Sequence, residues 1–585
     1  MSDYKAPLAE MRFVINEVAD LASLNSLPGL GEATPDLVDA ILEEAGKFAA
    51  DVFAPLNRSG DRAGCVLEDG EVRTPKGFKE AYADFVRGGW NGVPFDAEYG
   101  GQGLPWLASA AISEIWNAAN MSLALCPLLT QSAIELLTAH ASAELKSMFL
   151  PRLVAGEWTG AMNLTEPQAG SDLAAIRCKA TVEGDHYKIT GQKIFISYGD
   201  HDFGENIVHM VLARLAGAAE GIKGLSLFVV PKFMVNKDGS LGTRNAVRCL
   251  SLEHKMGLHA SPTAVMSYDG AFAYLIGEEN RGLEYMFTMM NNARLAVGLE
   301  GVAIAERAYQ QARAYAFERV QGRVMGSDGA TIAGHPDVKR MLLSMKAETE
   351  AARALAYFAA AALDKARRHP DQARRRYWQT LVDLLIPVVK AWCADAGIRV
   401  ADTGIQVHGG GGYIEETGAA QYFRDVRVTS IYEGTNGIQA ADLAGRKVAR
   451  DGGAAAYSFI AMMRETVGEL KDEAIRNRLN DGVNALARAT DRLVGAYAKD
   501  RETVAAGAVH YLRLFGNVSA GRLMAQAAHV AQSKLDAGGG DPVFLNAKII
   551  SARFFADQVM AQSDALADIF INGAAAITAA RKEHL

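Results

Sequence analysis

Cysteine is scarce and scattered. Cys65, Cys126, Cys178, Cys249 and Cys393 are the five present in 585 residues, with no CxxC pair and no metal-ligand spacing. No disulfide framework or metal site is therefore expected, and the cysteines read as free thiols in a reducing compartment. An excess of positive charge is also missing. Lys+Arg 60 stand against Asp+Glu 68, a net charge of -8, which argues against a polyphosphate-wrapping protein while leaving room for a local basic patch. No uncharged apolar run reaches the ~18 residues of a membrane span, and the charged start MSDYKAPLAEMRFVINEVAD lacks a secretory h-region. The end, Arg581-Lys582-Glu583-His584-Leu585, is not a peroxisomal tripeptide. A soluble cytoplasmic protein is the expectation. Internal repeats and low-complexity tracts are absent, and proline is missing from residues 285–323 and 338–368, which favours long helices there.

The chain does have 49% hydrophobic residues, enough for several domains with sizeable cores. Residues 1–34 read as an ordered but irregular arm. Thr34-Pro35 then opens a helix, Thr as N-cap and Pro at the first helical position. Val38, Ile41, Ala45, Phe48 and Val52 follow at helical spacing, and helical patterns return from Trp106, so 35–157 reads as a helical domain. From 158 to 278 the texture is that of strands. Tyr187-Lys188-Ile189-Thr190 and Lys193-Ile194-Phe195-Ile196-Ser197 flank Gly191-Gln192, a hairpin signal, and Leu225–Val230 is a strand ended by Pro231. Helices resume over 279–450, where Ala296, Gly298, Gly301 and Ala305 permit close helix contact. Residues 451–585 read as a further helical bundle, with Gly538-Gly539-Gly540-Asp541-Pro542 as loop, cap and helix start. The fold class is mostly α with a central β domain.

Two stretches carry chemistry. Ile431-Tyr432-Glu433-Gly434-Thr435-Asn436-Gly437-Ile438-Gln439 sets a carboxylate beside a small-residue turn that another molecule can approach closely. Upstream lies Met162-Asn163-Leu164-Thr165-Glu166-Pro167-Gln168-Ala169-Gly170-Ser171-Asp172. Either alone is an ordinary turn. Together, in this order, they resemble the T-E-P-x-A-G-S-D loop and Y-E-G-T-x-x-I-Q segment of the acyl-CoA dehydrogenase family, over about 35–450.

The resemblance implies an N-terminal helical domain, a middle β-barrel-like domain, a helical bundle and an extra C-terminal helical domain. It also implies FAD, because no side chain accepts the β hydrogen as hydride when an acyl thioester is desaturated to the trans-2-enoyl-CoA. Glu433 takes the position of the family's base. Met162, Leu164, Thr165, Gly170 and Ser171 match the flavin loop, with Ser171 also near the CoA thioester end. Phe195, Ile196 and Ser197 stand where many relatives have Trp-Ile-Thr. Arg319 and Gln321 resemble R-x-Q-F-G, with Gly322-Arg323 replacing Phe-Gly. Gln406, Gly409 and Gly410 resemble Q-x-x-G-G-x-G-Y on the adenosine half of FAD; Thr435 and Asn436 complete the flavin site. Asn291 and Arg294 fall where relatives meet the CoA nucleotide, and Gly434 and Arg446 fall beside the acyl thioester. Arg446 is read equally as an ion pair, and no metal is implied. His408 and the cluster Met286, Met289, Met290 read as structural.

His259 in the arginine position of K-x-G-x-R-x-S-x-T, the Tyr4-Lys5-Ala6-Pro7 start and the long tail resemble a large bacterial branch that includes 3-methylmercaptopropionyl-CoA dehydrogenases. That leaves a short or medium acyl-CoA or the thioether acyl-CoA as substrate, an electron-transfer flavoprotein as acceptor and a homodimer as the unit. A long-chain dehydrogenase and an acyl-CoA oxidase remain open. So does a flavin-fold nucleic-acid binder acting through Arg464, Arg476, Arg478, Arg488, Arg492 and Arg501, although the interspersed acids fit a solvated face better.

Overall fold

The computed structural model describes residues 4–324 and 330–585. The arm is more regular than expected. It forms helices Leu8–Phe13 and Leu21–Asn25, because Met11, Val14, Ile15, Val18, Leu21 and Leu24 supply a closely spaced apolar set that is fully buried. Thr34 and Pro35 begin helix Pro35–Phe48 as read, with Leu37 N–H donating to Thr34 Oγ1 at 3.3 Å. The helical stretch Trp106–His140 breaks at Asn120, whose φ of -160° and ψ of 90° are extended. The Asn120 side chain explains the restart: its Oδ1 accepts from Leu123 N–H at 3.1 Å, as a cap does. This stretch is long and apolar enough to cross a membrane by composition, but 83% of its most apolar window is buried inside the protein.

The chain divides into two compact units, one of Met1–Gly46, Pro105–Ala118 and Val297–Leu585, the other of Lys47–Leu104 and Ala119–Ala296. The second unit holds a seven-stranded sheet: β1 (Trp158–Asn163), β2 (Lys179–Glu183), β3 (His186–Ser197), β4 (Asn206–Leu215), β5 (Leu225–Pro231), β6 (Val247–Leu252) and β7 (Thr263–Ile276). The order is β6-β7-β3-β2-β4-β1, and β5 pairs with both β4 and β7. Pairing therefore returns on itself through β7, β3, β2, β4 and β5, although β2 and β4 share only a short parallel stretch at Lys179 and Ala180. β4 and β5 are buried almost throughout, so they read as apolar runs without alternation.

The first unit is helical. Its long helices include Pro336–Arg368 and Gln372–His408, with the latter half of Gly282–Glu318. Glycine sets their spacing: a Cβ on Gly298 would lie 2.5 Å from Val389 Cγ1, and one on Gly301 would lie 2.3 Å from Cys393 O. Only hydrogen at these positions allows the backbones so close. Arg353, 1% exposed, joins three helices: it donates to Glu114 at 2.7 Å and to Glu306 at 2.7 Å, and Tyr357 Oη donates to Glu114 at 2.7 Å. The tail forms helices Ala454–Glu469, Glu473–Tyr497, Arg501–Asp536, Pro542–Gln558 and Ser563–Asn572. It packs on Gln372–His408, where Trp392 Nε1 donates to Asn517 Oδ1 at 2.9 Å and a Cβ on Gly516 would meet Trp392 at 2.3 Å. On its surface Arg478 faces Asp557 and Arg488 faces Asp564, so acids offset these arginines.

Candidate active site

Glu433 sits half-buried on a turn that most residues avoid. Its φ is +55° and that of Gly434 is +83°. Two successive left-handed residues, one of them not glycine, persist only where neighbours over-determine them. Here three elements do so. Lys390, fully buried on Gln372–His408, donates to Gly434 O at 2.8 Å and to Asn436 Oδ1 at 3.0 Å. Gln439 Nε2 donates to Glu433 O at 3.0 Å and to Gly434 O at 3.2 Å. Tyr432 donates its hydroxyl hydrogen to Glu300 on Gly282–Glu318. Behind the turn, Thr435 Oγ1 caps helix Asn436–Ala441 by accepting from Ile438 N–H at 3.2 Å. The Asn436 amide is used within the chain, donating to Asp395 Oδ1 at 2.7 Å and Ala391 O at 3.2 Å. Its side chain locks the Glu433 turn. Arg446 Nε is 2.5 Å from Asp442 Oδ1, one turn back, and its side chain is half exposed.

In the same unit Arg319 and Gln321 are exposed neighbours, Nη2 lying 3.5 Å from Oε1. Gln406, Gly409 and Gly410 are exposed, and a Cβ on either glycine would meet nothing within 4 Å. An open glycine run beside exposed guanidinium and amide groups suits a phosphate and an adenosine. His408 is structural as read: buried, with Nδ1 donating to Gly404 O at 2.7 Å and its ring stacked on Tyr315.

The second unit carries the other motif. β1 ends at Asn163, which Tyr268 Oη holds by donating to Oδ1 at 2.7 Å while Asn163 Nδ2 donates to His209 Nδ1 at 3.2 Å. Burial, then the charge of Lys232, pushes His209 down to about 3, consistent with a neutral ring accepting at Nδ1. The loop that follows is clamped by a residue not singled out in the sequence. Lys193, fully buried on β3, donates to Glu166 Oε1 at 2.8 Å and to Leu164 O at 2.9 Å. Glu166 also accepts from Arg177 N–H at 2.7 Å and Cys178 N–H at 3.0 Å. Burial opposes ionisation of Glu166, but Lys193 and these donors more than offset it and hold the carboxyl below its ordinary range. Met162 and Thr165 are half-buried and Leu164 is buried; Gly170 and Ser171 are exposed beyond the clamp.

Phe195 is 59% exposed at a φ of +59°. The cause is a bulge: Ala264 pairs with Ile196 while Met266 pairs with Lys193, so β3 carries an extra residue there. Ile196 turns inward and is buried, Ser197 is half-buried, and the Phe195 ring is aimed outward as a wall for a planar ligand. An exposed aromatic face of this kind fits a planar ring such as an isoalloxazine. Asn291 is half-buried, while Arg294 is only 3% exposed, with Nη1 3.4 Å from Asn291 Oδ1; its guanidinium is turned into the protein. His259, in the arginine position, has Nδ1 2.9 Å from Asp61 Oδ1 and Nε2 2.9 Å from Lys255 O. Signals for the missed residues lay in the string: Gln439 closes the Y-E-G-T motif, and Lys193 is a charge inside an alternating strand.

Among the described residues no group of His, Cys, Asp and Glu could hold a metal ion. Family models match nearly the whole chain. They are the acyl-CoA dehydrogenase N-terminal domain over 36–157, its middle domain over 161–271, its C-terminal domain over 280–448, and the acetyl-CoA dehydrogenase C-terminal-like domain over 459–581. The chain is 48% identical over 571 residues, 96% of this chain and 97% of the relative, to a 3-methylmercaptopropionyl-CoA dehydrogenase of Ruegeria pomeroyi. It is 34% identical to a butyryl-CoA dehydrogenase of Syntrophomonas wolfei, covering 95% of each chain. The fold matches an acyl-CoA dehydrogenase complexed with FAD from Bacillus anthracis at a TM-score of 0.75 and 21% identity, over 98% of this chain and 92% of that one. With both motifs, the four matched domains and the full-length likeness in place, the chain belongs to the acyl-CoA dehydrogenase family and is an FAD-dependent dehydrogenase of acyl-CoA thioesters.

Proposed function

We propose that Glu433 is the base that removes the α proton from a short- or medium-chain acyl-CoA, 3-methylmercaptopropionyl-CoA among them. The observation that carries this is the half-buried Glu433 on a left-handed turn fixed by Lys390, Gln439 and Tyr432. A carboxylate held on a rigid backbone is a better-aimed base than one free in solution. FAD, when bound, accepts the β hydrogen as hydride, and the product is the trans-2-enoyl-CoA. The N–H of Glu433 is the chain's own donor for the thioester oxygen, where negative charge grows as the proton leaves. Met162, Leu164, Thr165, Gly170, Ser171, Phe195, Ile196, Ser197, Arg319, Gln321, Gln406, Gly409 and Gly410 are the residues assigned to FAD.

The thioether substrate is supported by the Ruegeria relative at 48% identity; a thioether and a methylene pack alike, so straight acyl chains of similar length belong to the same class. Family resemblance supports an electron-transfer flavoprotein as acceptor. The tail seated on Gln372–His408 through Trp392 supports a homodimer, and the free thiols support a cytoplasmic site.

The test is anaerobic bleaching of the bound flavin by a panel of acyl-CoAs, in wild type and Glu433→Gln. Glu433→Gln is expected to retain FAD and lose roughly 10²-fold or more of the bleaching rate, the scale of a lost general base. Near-normal bleaching in that variant removes Glu433 from the mechanism. Indifference to 3-methylmercaptopropionyl-CoA, with good bleaching by long chains, removes the substrate assignment.

A further inference from the structure

Glu300 is a carboxyl in an unusual place. It is fully buried on Gly282–Glu318, between Gly298 and Gly301, where the backbones of that helix and Gln372–His408 come into contact. Nothing about helix packing asks for an acid there; an apolar residue or an amide would cost less to bury. Its Oε2 accepts the Tyr432 hydroxyl hydrogen, and its Oε1 has no hydrogen-bond partner among the described residues. Tyr432 precedes Glu433 directly, so the ring that Glu300 holds is the first fixed point of the strained turn. Lys390 is the second, through Gly434 O and Asn436 Oδ1, and Gln439 is the third.

We propose that Glu300 is a positioning residue for α-proton abstraction: its carboxyl, buried behind the turn, anchors the Tyr432 hydroxyl and so fixes the backbone from which the Glu433 carboxylate meets the substrate. This rests on reading Glu433 as the base. Glu300 touches neither substrate nor cofactor and acts only through Tyr432.

The charges facing Glu300 say which form does this. Tyr432, Glu433 and Lys390 surround it. Burial pushes its carboxyl up to about 8; the Tyr432 hydrogen bond opposes this, the Glu433 charge adds to it, and Lys390 opposes it. Around neutral pH, Glu300 therefore keeps its proton. In the neutral form the proton sits on Oε2, within the hydrogen bond shared with the Tyr432 hydroxyl, and Oε1 is left as a carbonyl oxygen, far cheaper to leave unpaired than half of a buried carboxylate. The proton on Glu300 keeps a second negative charge away from the base and from the thioester oxygen during the transfer.

The experiment is single-turnover flavin reduction of the FAD-loaded enzyme by saturating butyryl-CoA across pH, in wild type, Glu300→Gln, Glu300→Ala, Tyr432→Phe and Glu433→Gln. Wild type is expected to show an ionisation near pH 8 in its limiting rate. Glu300→Gln, a neutral isostere, is expected to lose that ionisation and keep its rate at pH 7 within about threefold. Glu300→Ala and Tyr432→Phe are expected to fall roughly tenfold to hundredfold in limiting rate with little change in half-saturation, the scale of a displaced catalytic group. Persistence of the ionisation in Glu300→Gln, or wild-type rates in both Glu300→Ala and Tyr432→Phe, overturns the proposal. If Glu300→Ala does not fold, the pH profile of Glu300→Gln and the rate of Tyr432→Phe decide it alone. Glu433→Gln separates the two readings: if it reduces its flavin normally, the base assignment fails; if it is inert while every Glu300 variant behaves as wild type, only the positioning role fails.

Discussion

Lys193 Nζ lies 2.8 Å from Glu166 Oε1, and the two side chains are 0% and 4% exposed. Each is buried because of the other. Glu166 satisfies its remaining lone pairs on the N–H groups of Arg177 and Cys178, and Lys193 reaches one further acceptor at Leu164 O. Removing one partner strands a buried charge, which typically costs about 3–5 kcal/mol. Lys193→Ala is therefore expected to lower the denaturant midpoint by that order and to release FAD, because the 162–172 loop loses its clamp. FAD fluorescence and a denaturation curve check both. A fully flavinylated variant of wild-type stability would show that the pair holds nothing.

The same clamp sets an acid limit. Glu166 has its carboxyl held below the ordinary range: burial opposes ionisation, and Lys193 with the two N–H donors outweighs it. A depressed carboxyl contributes stability above its unfolded value of about 4.5 and loses it as pH falls through the lower folded value. FAD retention is expected to be level above pH ~5 and to drop below pH ~4.5, while Glu166→Gln starts lower and shows a weaker acid dependence. Equal acid profiles for the two proteins contradict this.

Much of this was legible in the string, and what was not has a physical reason. Proline-free stretches and the change to strand texture at residue 158 mark the elements, because period and breakers are local properties. Glu433 and the 162–172 loop are recognisable as contiguous motifs. Glu300 and Lys390 are not, since they come together only where Gly298 and Gly301 let two helices meet. The outward aim of Phe195 depends on a one-residue register shift opposite Met266, and register is a pairing property that no single strand states. Asn436 matches its motif, yet its amide is bound to Asp395 and Ala391 O; a motif names a residue without saying which way its atoms face. The arm looked irregular because its helices are short, and burial of Met11, Val14 and Ile15 stabilises what propensity alone does not.

Arg353 gives a prediction about the core of the helical unit. Its guanidinium is shared by Glu114 and Glu306, and Tyr357 Oη donates to Glu114. Both Glu114 and Arg353 are 1% exposed. Glu114→Ala should destabilise by about 3–5 kcal/mol, leaving a buried cation with less compensation, whereas Glu114→Leu, Arg353→Met and Glu306→Gln together should cost much less because no buried charge is left without its partner. Denaturation midpoints of the single and combined variants check the ordering, which fails if the combined variant is the less stable.

Lys390 offers a separate handle on the Glu433 turn. It donates to Gly434 O and Asn436 Oδ1 from a fully buried position. Lys390→Met keeps the volume and removes the donors. The left-handed pair Glu433–Gly434 then loses a restraint, and the limiting rate of flavin reduction is expected to fall by roughly tenfold or more. FAD content should stay near wild type, because none of these contacts involves Phe195 or the 162–172 loop. Loss of FAD with an unchanged rate per bound flavin would place Lys390 in cofactor retention instead.

Glu300 makes a stability prediction whose sign is opposite to that of Glu166. Its native carboxyl is pushed up to about 8, chiefly by burial, while in the unfolded chain it ionises near the ordinary value of about 4.5. The native state therefore binds this proton more tightly. Its contribution is complete below pH ~4.5, declines as pH rises toward 8, and is flat above that. Glu300→Gln has no proton to lose and escapes the decline. Relative to wild type, the variant should gain stability between pH 5 and 7 by on the order of 2 kcal/mol, from a limit of about 1.4 kcal/mol per pH unit. Denaturant midpoints of both proteins at a series of pH values measure the difference. A gap that shrinks or stays constant over that range means that Glu300 is ionised in the folded enzyme, and that Lys390 compensates its charge more fully than a neutral carboxyl requires.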